Sequence, residues 1–297
     1  MKKTGFIAIV GRPNVGKSTL LNAMLGEKIA ITSKKPQTTR TRITGILTRD
    51  DNQFVFIDTP GMHRSATKLG DYMNRQISSA IADVDAAILV ADTDYMPGDI
   101  EKRLINRFVR DEMPIILVLN KTDVSNPERI GRVIAAYAEL CDFASVIPIS
   151  AIKEDGVSIV LDEVAKLLHD GEWIFDEDEL TDQPERTIAS EMIREKLLRL
   201  LDNEIPHGTA VTIEEFKDDG HILRIRAEIY CERESHKRII IGKGGEMLKK
   251  ISTYAREDME KFFGTKVFLD VWVKVKENWR ESDYLINDFG FKKNDDT

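Results

Sequence analysis

At 297 residues the chain is long for one average domain and comfortable for two. A formal net charge of −8 excludes bulk electrostatic attraction to nucleic acid, so any RNA contact must come from a local basic face. Cys141 and Cys231, with no CxxC and no Cys/His cluster, support neither a disulfide framework nor a zinc site, and are expected as small buried side chains in a reducing compartment.

The first apolar run, Phe6–Val10, starts close to Met1, leaving no segment suited to a signal peptide. No run reaches the roughly 20 residues that span a bilayer, so we expect a cytosolic protein, or one resting on a membrane surface. Four further apolar runs follow: Phe54–Ile57, Ala86–Ala91, Ile115–Leu119 and Val146–Ile149. Near-continuous apolar strands suit a parallel sheet buried on both faces. The stretches Ser18–Leu25, Ile100–Val109, Glu128–Leu140 and Gly156–Leu168 have helical spacing. The alternation predicts a doubly wound α/β domain over residues 1–170.

Between Gly171 and Glu185 seven of fifteen residues are acidic and none is basic, which reads as a linker over 171–185 closed by Pro184. Beyond it the spacing predicts a helix over Thr187–Asp202 and strands over Thr209–Glu214 and Ile222–Tyr230, turning at Asp218-Asp219-Gly220. A helix to Ile241, a glycine-rich break, a helix over Glu246–Phe263 and a strand over Lys266–Val275 complete a smaller α+β domain, residues 186–280. The tail 281–297 is polar at its end and expected to fray from Asn287.

Directly after the first strand, Gly11-Arg12-Pro13-Asn14-Val15-Gly16-Lys17-Ser18 matches GxxxxGK[ST]. Gly11 and Gly16 permit the tight turn that aims successive N–H groups at phosphate oxygens. Lys17 places a charge between the β- and γ-phosphates, and the Ser18 hydroxyl is a hard ligand for Mg²⁺. Forty residues beyond Ser18, Asp58-Thr59-Pro60-Gly61 ends a strand. Asp58 can hold Mg²⁺ through water, and the Gly61 N–H can meet the γ-phosphate, which makes the segment to about Gly70 a candidate switch. Between them, Gln37-Thr38-Thr39-Arg40-Thr41-Arg42 should supply a threonine to the metal; Thr39 is chosen, though spacing leaves Thr38 and Thr41 open.

These motifs indicate a nucleoside triphosphate; the base is set by Asn120-Lys121-Thr122-Asp123. A buried Asp123 carboxylate can accept from guanine N1–H and the exocyclic amine, and adenine lacks that donor pair, a difference worth about 10⁴. Asn120 can bond N7 or tie the phosphate loop, the Lys121 stem can lie over the ring, and Ser150-Ala151 offers a backbone N–H to guanine O6. All four loops leave the carboxyl ends of strands, where open α/β sheets bind ligands. GTP is the implied ligand.

Ras-like GTPases orient the attacking water with a glutamine after the DxxG glycine; this chain has Met62 there, then His63. Methionine cannot position water, so slow hydrolysis, or help from a metal, a water network or a partner, follows. Asn14 is a candidate for holding K⁺ between the phosphates, and His63 is read as an exposed switch residue rather than a base. Lys17, Asn14, Gly61 and Thr39 are the residues expected to act on the transferring phosphate.

In the second domain Gly242-Lys243-Gly244-Gly245 lies between two helices, matching the GxxG turn with which KH folds clamp single-stranded RNA. Residues 231–280 hold 12 Lys/Arg against 8 Asp/Glu, a local +4. Ile241 through Gly245, with Lys249 and Lys250, are the candidate RNA contacts. A protein-binding second domain with an incidental turn is the alternative reading. An enzyme working chemically on RNA would want a nucleophile or metal cluster within 185–297, where the sequence shows none.

GRPNVGKST, QTTRTR, DTPG, NKTD and ISA, followed by IIIGKGG and Leu269-Asp270-Val271-Trp272-Val273-Lys274-Val275-Lys276, resemble the Era family of bacterial GTPases over nearly the whole chain. That resemblance implies a P-loop GTPase domain followed by a type II KH domain. It implies contact with the 3′ end of 16S ribosomal RNA, a role in small (30S) subunit assembly and rRNA maturation, and some peripheral membrane contact. The family also carries a hydrophobic residue after the DxxG glycine, so Met62 fits it. Nothing in the sequence suggests an obligate dimer, and a monomer is expected.

Overall fold

The computed structural model describes residues 1–62, 67–202 and 204–291. They divide into two compact units. The first is built from Met1–Thr32, the stretch from Thr39 and Met73–Asp182; the second comprises Gln183 onward with Ser33–Thr38 and a short stretch ending at Tyr72.

In chain order the elements before the acidic segment are β1 (Lys3–Val10), α1 (Lys17–Leu25), β2 (Ile43–Arg49), β3 (Asn52–Asp58), α2 (Lys68–Ala82) and β4 (Ala86–Asp92). There follow α3 (Asp99–Arg110), β5 (Ile115–Asn120), α4 (Pro127–Ala138), β6 (Ser145–Pro148), α5 (Val157–Ala165) and the short β7 (His169–Asp170). Among the described residues these strands make a seven-stranded sheet in the order β2-β3-β1-β4-β5-β6, with β7 paired to the start of β1. Only the β2–β3 and β1–β7 pairs are antiparallel. Every position of β4 is buried, as a strand covered on both faces requires. Ala8, Val10, Leu89, Leu117, Phe108 and Tyr137 share one core cluster. The register sets Ile9 beside Asp58 and Asp92 beside Asn120, so the phosphate loop, DTPG and NKTD leave one edge of the sheet.

The acidic segment is not a free connector. The Gln53 side chain, fully buried, accepts from the N–H groups of Ile174 and Phe175 (2.8 and 3.0 Å) and donates to the Phe175 carbonyl (2.9 Å). Further along, the Ile46 N–H donates to the Leu180 carbonyl (2.9 Å) and the Thr181 hydroxyl to the Thr44 carbonyl (2.6 Å). Residues 174–181 thus follow the outer edge of β2, and the first unit continues to Asp182 rather than ending at residue 170.

The second unit runs α6 (Glu185–Leu200), β8 (Ala210–Asp218), β9 (Ile222–Cys231), α7 (Glu234–Ile241), α8 (Glu246–Phe263), β10 (Lys266–Val275) and α9 (Asp283–Asp288). β8 and β9 form the expected hairpin, and β10 joins β9 in parallel, giving the order β10-β9-β8. Ile251, Ala255 and Met259 face inward from α8, joining Ile193 and Leu197 of α6 and Ile225 and Ile229 of β9 in one core. The tail does not fray at Asn287: Phe289 and Phe291 are buried, and Trp279, wholly buried, meets both rings (5.5 and 6.1 Å) and donates to the Gly208 carbonyl (2.9 Å). Burying that much aromatic surface anchors the chain as far as Phe291; residues 292–297 of the expected tail lie outside the described residues. Among the described residues no helix is long and apolar enough to cross a membrane.

Candidate nucleotide site and candidate RNA surface

The phosphate loop closes on itself. Gly11 and Gly16 have φ of +148° and +101°, and a Cβ would lie 2.2 Å from the Val90 carbonyl at Gly11 and 2.2 Å from Asn120 Nδ2 at Gly16. Asn14 adopts a left-handed φ of +64° and is exposed. Lys17 is buried, its Nζ donating to the carbonyls of Arg12 (3.0 Å) and Gly11 (3.4 Å). Val15 is buried beneath the loop. The loop opens α1, whose first N–H groups share its positive end.

Ser18, Thr39 and Asp58, the three expected metal ligands, meet at one point. Ser18 Oγ donates to Asp58 Oδ2 (2.5 Å) and lies 2.9 Å from Thr39 Oγ1, which itself donates to Asp58 Oδ2 (3.4 Å). Thr38 is engaged elsewhere, with the Lys35 carbonyl (2.7 Å). Asp58 Oδ1 is buried and unsatisfied by protein donors. Burial pushes the Asp58 carboxyl up to about 6, against the pull of Lys17 and the two hydroxyls. Burial likewise lowers the Lys17 ammonium to about 8, with Asp58 opposing it. Hard oxygens around a buried, half-satisfied carboxylate fit a hydrated Mg²⁺.

The DTPG turn packs directly on the phosphate loop. The Thr59 N–H and hydroxyl both donate to the Ile9 carbonyl (3.3 and 2.9 Å). A Cβ at Gly61 would fall 2.6 Å from the Pro13 nitrogen, so only glycine permits this approach. Pro60 is buried in the same turn. Met62 donates its N–H to the Gly11 carbonyl (3.4 Å) and packs its side chain on the first unit's core. His63 lies outside the described residues.

On the base side, Asn120 takes the second of its two expected roles, and the details around Ser150, Lys121 and Asp123 differ from expectation. Asn120 ties the phosphate loop, donating to the Val15 carbonyl (2.8 Å), and accepts from the Ala151 N–H (3.0 Å). The Ser150 N–H goes to the Asp155 carbonyl (3.0 Å), so both N–H groups expected at guanine O6 already have protein acceptors. Lys121, at φ +68°, pairs with buried Asp92 (3.0 Å) at the foot of the loop after β4. Asp123 is exposed rather than buried, one oxygen fixed by the Ser150 hydroxyl (2.8 Å). Thr122 begins the short turn that carries it.

The side chain of Arg12, expected at the nucleotide, turns away from it. Its Nη2 donates to Glu101 Oε2 (2.7 Å) and its Nε lies 2.5 Å from Oε1. Asp92 and Glu101 were invisible as site residues in the sequence: neither belongs to a signature, and an acidic residue early in a helix reads as an ordinary cap.

In the second unit Gly242, Gly244 and Gly245 all have positive φ (+76°, +62°, +83°). A Cβ at Gly242 would lie 2.9 Å from the Met247 nitrogen, so that position is glycine for packing. A Cβ at Gly244 or Gly245 would meet nothing within 4 Å, leaving that side of the turn open to a ligand. Lys243, Lys249 and Lys250 are exposed around the turn, with Lys250 Nζ over the Tyr254 ring (5.9 Å). Ile241, counted among the RNA contacts, packs partly against the unit's core. An open glycine turn ringed by lysines suits a phosphodiester backbone.

A family model described as 50S ribosome-binding GTPase matches residues 6–121, and one described as KH domain matches residues 204–280. GTPase Era of Ruminiclostridium cellulolyticum is 48% identical over 294 residues, covering 98% of each chain. GTPase Era of Clostridium kluyveri is 49% identical over 293 residues, covering 98% of this chain and 100% of that one. Among solved structures, Era in complex with MgGDPNP and nucleotides 1506–1542 of 16S ribosomal RNA aligns with a TM-score of 0.93 at 35% identity, over 98% of this chain and 99% of that one. A point variant of Aquifex aeolicus Era bound to GDP and AlF4⁻ gives the same TM-score and identity over 97% and 99%.

Proposed function

Because the chain belongs to the Era family of GTPases, we propose that it is a GTP-hydrolysing switch whose KH unit binds the 3′ end of 16S ribosomal RNA during small-subunit assembly. The observation that carries the nucleotide half is the meeting of Ser18, Thr39 and Asp58 around a buried, half-satisfied carboxylate. These three residues would hold Mg²⁺, which when bound neutralises charge on the β- and γ-phosphates.

The chain's own residues divide the remaining work. The N–H groups from Asn14 to Ser18 cradle the phosphates, and Lys17 adds a charge at the transferring group. Gly61, pressed on Pro13, presents its N–H to the γ-phosphate. Asp123 selects guanine. Met62, packed on the core, holds no water; Asn14, exposed in the loop, is the residue we assign to K⁺. A ribosomal RNA partner would keep the protein in the cytoplasm, and a monomer is expected there; peripheral contact with the inner face of the cell membrane rests on the family resemblance alone.

The test is binding of a short RNA with the sequence of the 16S 3′ end, measured with a non-hydrolysable GTP analogue, with GDP and with no nucleotide. Tightest binding with the analogue is expected. Equal binding in all three states would remove the coupling between nucleotide and RNA, and absent GTP hydrolysis would remove the enzyme.

A further inference from the structure

The segment from β4 into α3 carries two buried carboxylates, and each holds a cation from a signature motif: Asp92 takes Lys121, and Glu101 takes Arg12. The second pair reaches the phosphate loop. The Glu101 side chain is 3% exposed and that of Arg12 26%, so the carboxylate sits at the dry end and the cation reaches it from the wet one. A carboxylate so buried is costly unless paired and hydrogen-bonded. Both conditions are met, since Glu101 Oε2 accepts from Arg12 Nη2 and from the Gly98 N–H (3.0 Å). A Cβ at Gly98 would lie 2.2 Å from Arg12 Nη2, so a side chain there would displace the guanidinium from this seat. The Tyr95 ring lies beneath the guanidinium at 5.7 Å.

On its other side the loop is held by different contacts. The Arg12 carbonyl accepts from Lys17 Nζ, and the next residue, Pro13, abuts the Gly61 backbone. Residues 11–13 are therefore wedged between the first turn of α3, Lys17 and the DTPG turn, whereas the Val15–Gly16 end is tied separately by Asn120.

We propose that Glu101 is a positioning residue of the GTPase, acting through Arg12 to hold residues 11–13 against Gly61; this rests on the GTPase reading above. The wedge supports the groups that meet the γ-phosphate, and the Asn120 tie supports those that cradle the β-phosphate. Loosening the wedge should slow GTP turnover while sparing GDP affinity. A merely structural pair would weaken both together.

Glu101→Gln keeps the volume and the acceptor for the Gly98 N–H and removes the charge. At saturating GTP its single-turnover rate should fall about tenfold, with GDP affinity changed less than about threefold. Arg12→Gln should match it, and the double variant should be no slower than either single, because one interaction is being removed twice. An unchanged rate, a parallel loss of GDP affinity, or additive losses in the double variant would each overturn the proposal. Should Glu101→Gln fail to fold, Arg12→Gln decides alone, since it alters the partly exposed partner. A wild-type protein that hydrolyses no GTP would overturn the GTPase reading instead.

Discussion

The two sites treat charge in opposite ways. In the first unit Lys17 and Asp58 are buried and forced toward neutrality, Glu101 and Asp92 are buried and paired, and backbone ties fix the loops that meet there. In the second, the lysines around Gly242–Gly245 stand in water, and a Cβ placed at Gly244 or Gly245 would meet nothing within 4 Å. Buried charge is preorganised: it loses hydration when the protein folds, so little further reorganisation is needed at the phosphate. Exposed charge does not burden folding and meets a polyanion by releasing counterions, which makes its affinity depend on salt. One site should therefore be selective and sensitive to single atoms, and the other tolerant and sensitive to ionic strength.

The sharpest way to break the contrast is at the base. Asp123→Asn should lower discrimination of GTP over ATP by about 10³–10⁴; competition between labelled nucleotides measures it, and a tenfold effect would mean the Asp123 carboxylate reads little. Lys17→Ala should reduce kcat/KM for GTP by about 10²–10³, with RNA affinity unchanged in nucleotide-free protein. On the exposed side, RNA affinity should fall about twentyfold between 50 and 200 mM salt if three lysines meet phosphates. Gly244→Asp should remove most of that affinity by setting a carboxylate at the open backbone, while GTP hydrolysis without RNA stays as it was.

Smaller, but specific in sign, is the dependence on pH. The Asp58 carboxyl is held up near 6, above its ordinary 3.8, so its contribution to the nucleotide-free fold is complete below 3.8 and lost as pH rises through about 6. Lys17, held near 8 below its ordinary 10.5, contributes at high pH and loses that contribution as pH falls through about 8. Between those values both groups are charged and buried, and the nucleotide site weighs most on stability. Because the proposed Mg²⁺ needs Asp58 ionised, affinity for Mg·GTP should rise about tenfold from pH 5 to 7 and level off above pH 7, a slope that Asp58→Asn should erase. The smallest effect expected is an acceleration of about tenfold in K⁺ over Na⁺, about 1.4 kcal/mol at the transition state; Asn14→Ala should abolish it.

Much of this was legible in the sequence because it is local. Gly11–Ser18, Asp58–Gly61 and Asn120–Asp123 each follow an apolar run, and a run plus a turn motif fixes which end of a strand bears the loop. The elements that escaped depend on distant partners. β2 contains Gly45, whose missing Cβ admits the Leu21 and Leu25 side chains of α1, so a residue that weakens a strand pattern is the one that lets β2 pack. α2 begins at Lys68 and so shares only residues 68–70 with the expected switch, of which residues 63–66 lie outside the described residues. Glu101 and Asp92 became site residues only when β4 and α3 brought them beside Arg12 and Lys121. The fixed tail required Trp279, Phe289 and Phe291 to be seen as one aromatic cluster, and nothing in their spacing announces it.

The course of residues 174–181 along β2 has a further consequence. A sheet ending in a bare strand offers its unpaired N–H and C=O groups to any extended chain, including a second copy of itself. Here that border is partly occupied by the Leu180 carbonyl on Ile46 and the Thr181 hydroxyl on Thr44, and fenced by Asp176, Glu177, Asp178, Glu179 and Asp182. The same acidic run that looks like a passive connector works as a border guard, because part of the margin of the GTPase sheet is already paired and the rest is flanked by like charges that disfavour strand addition.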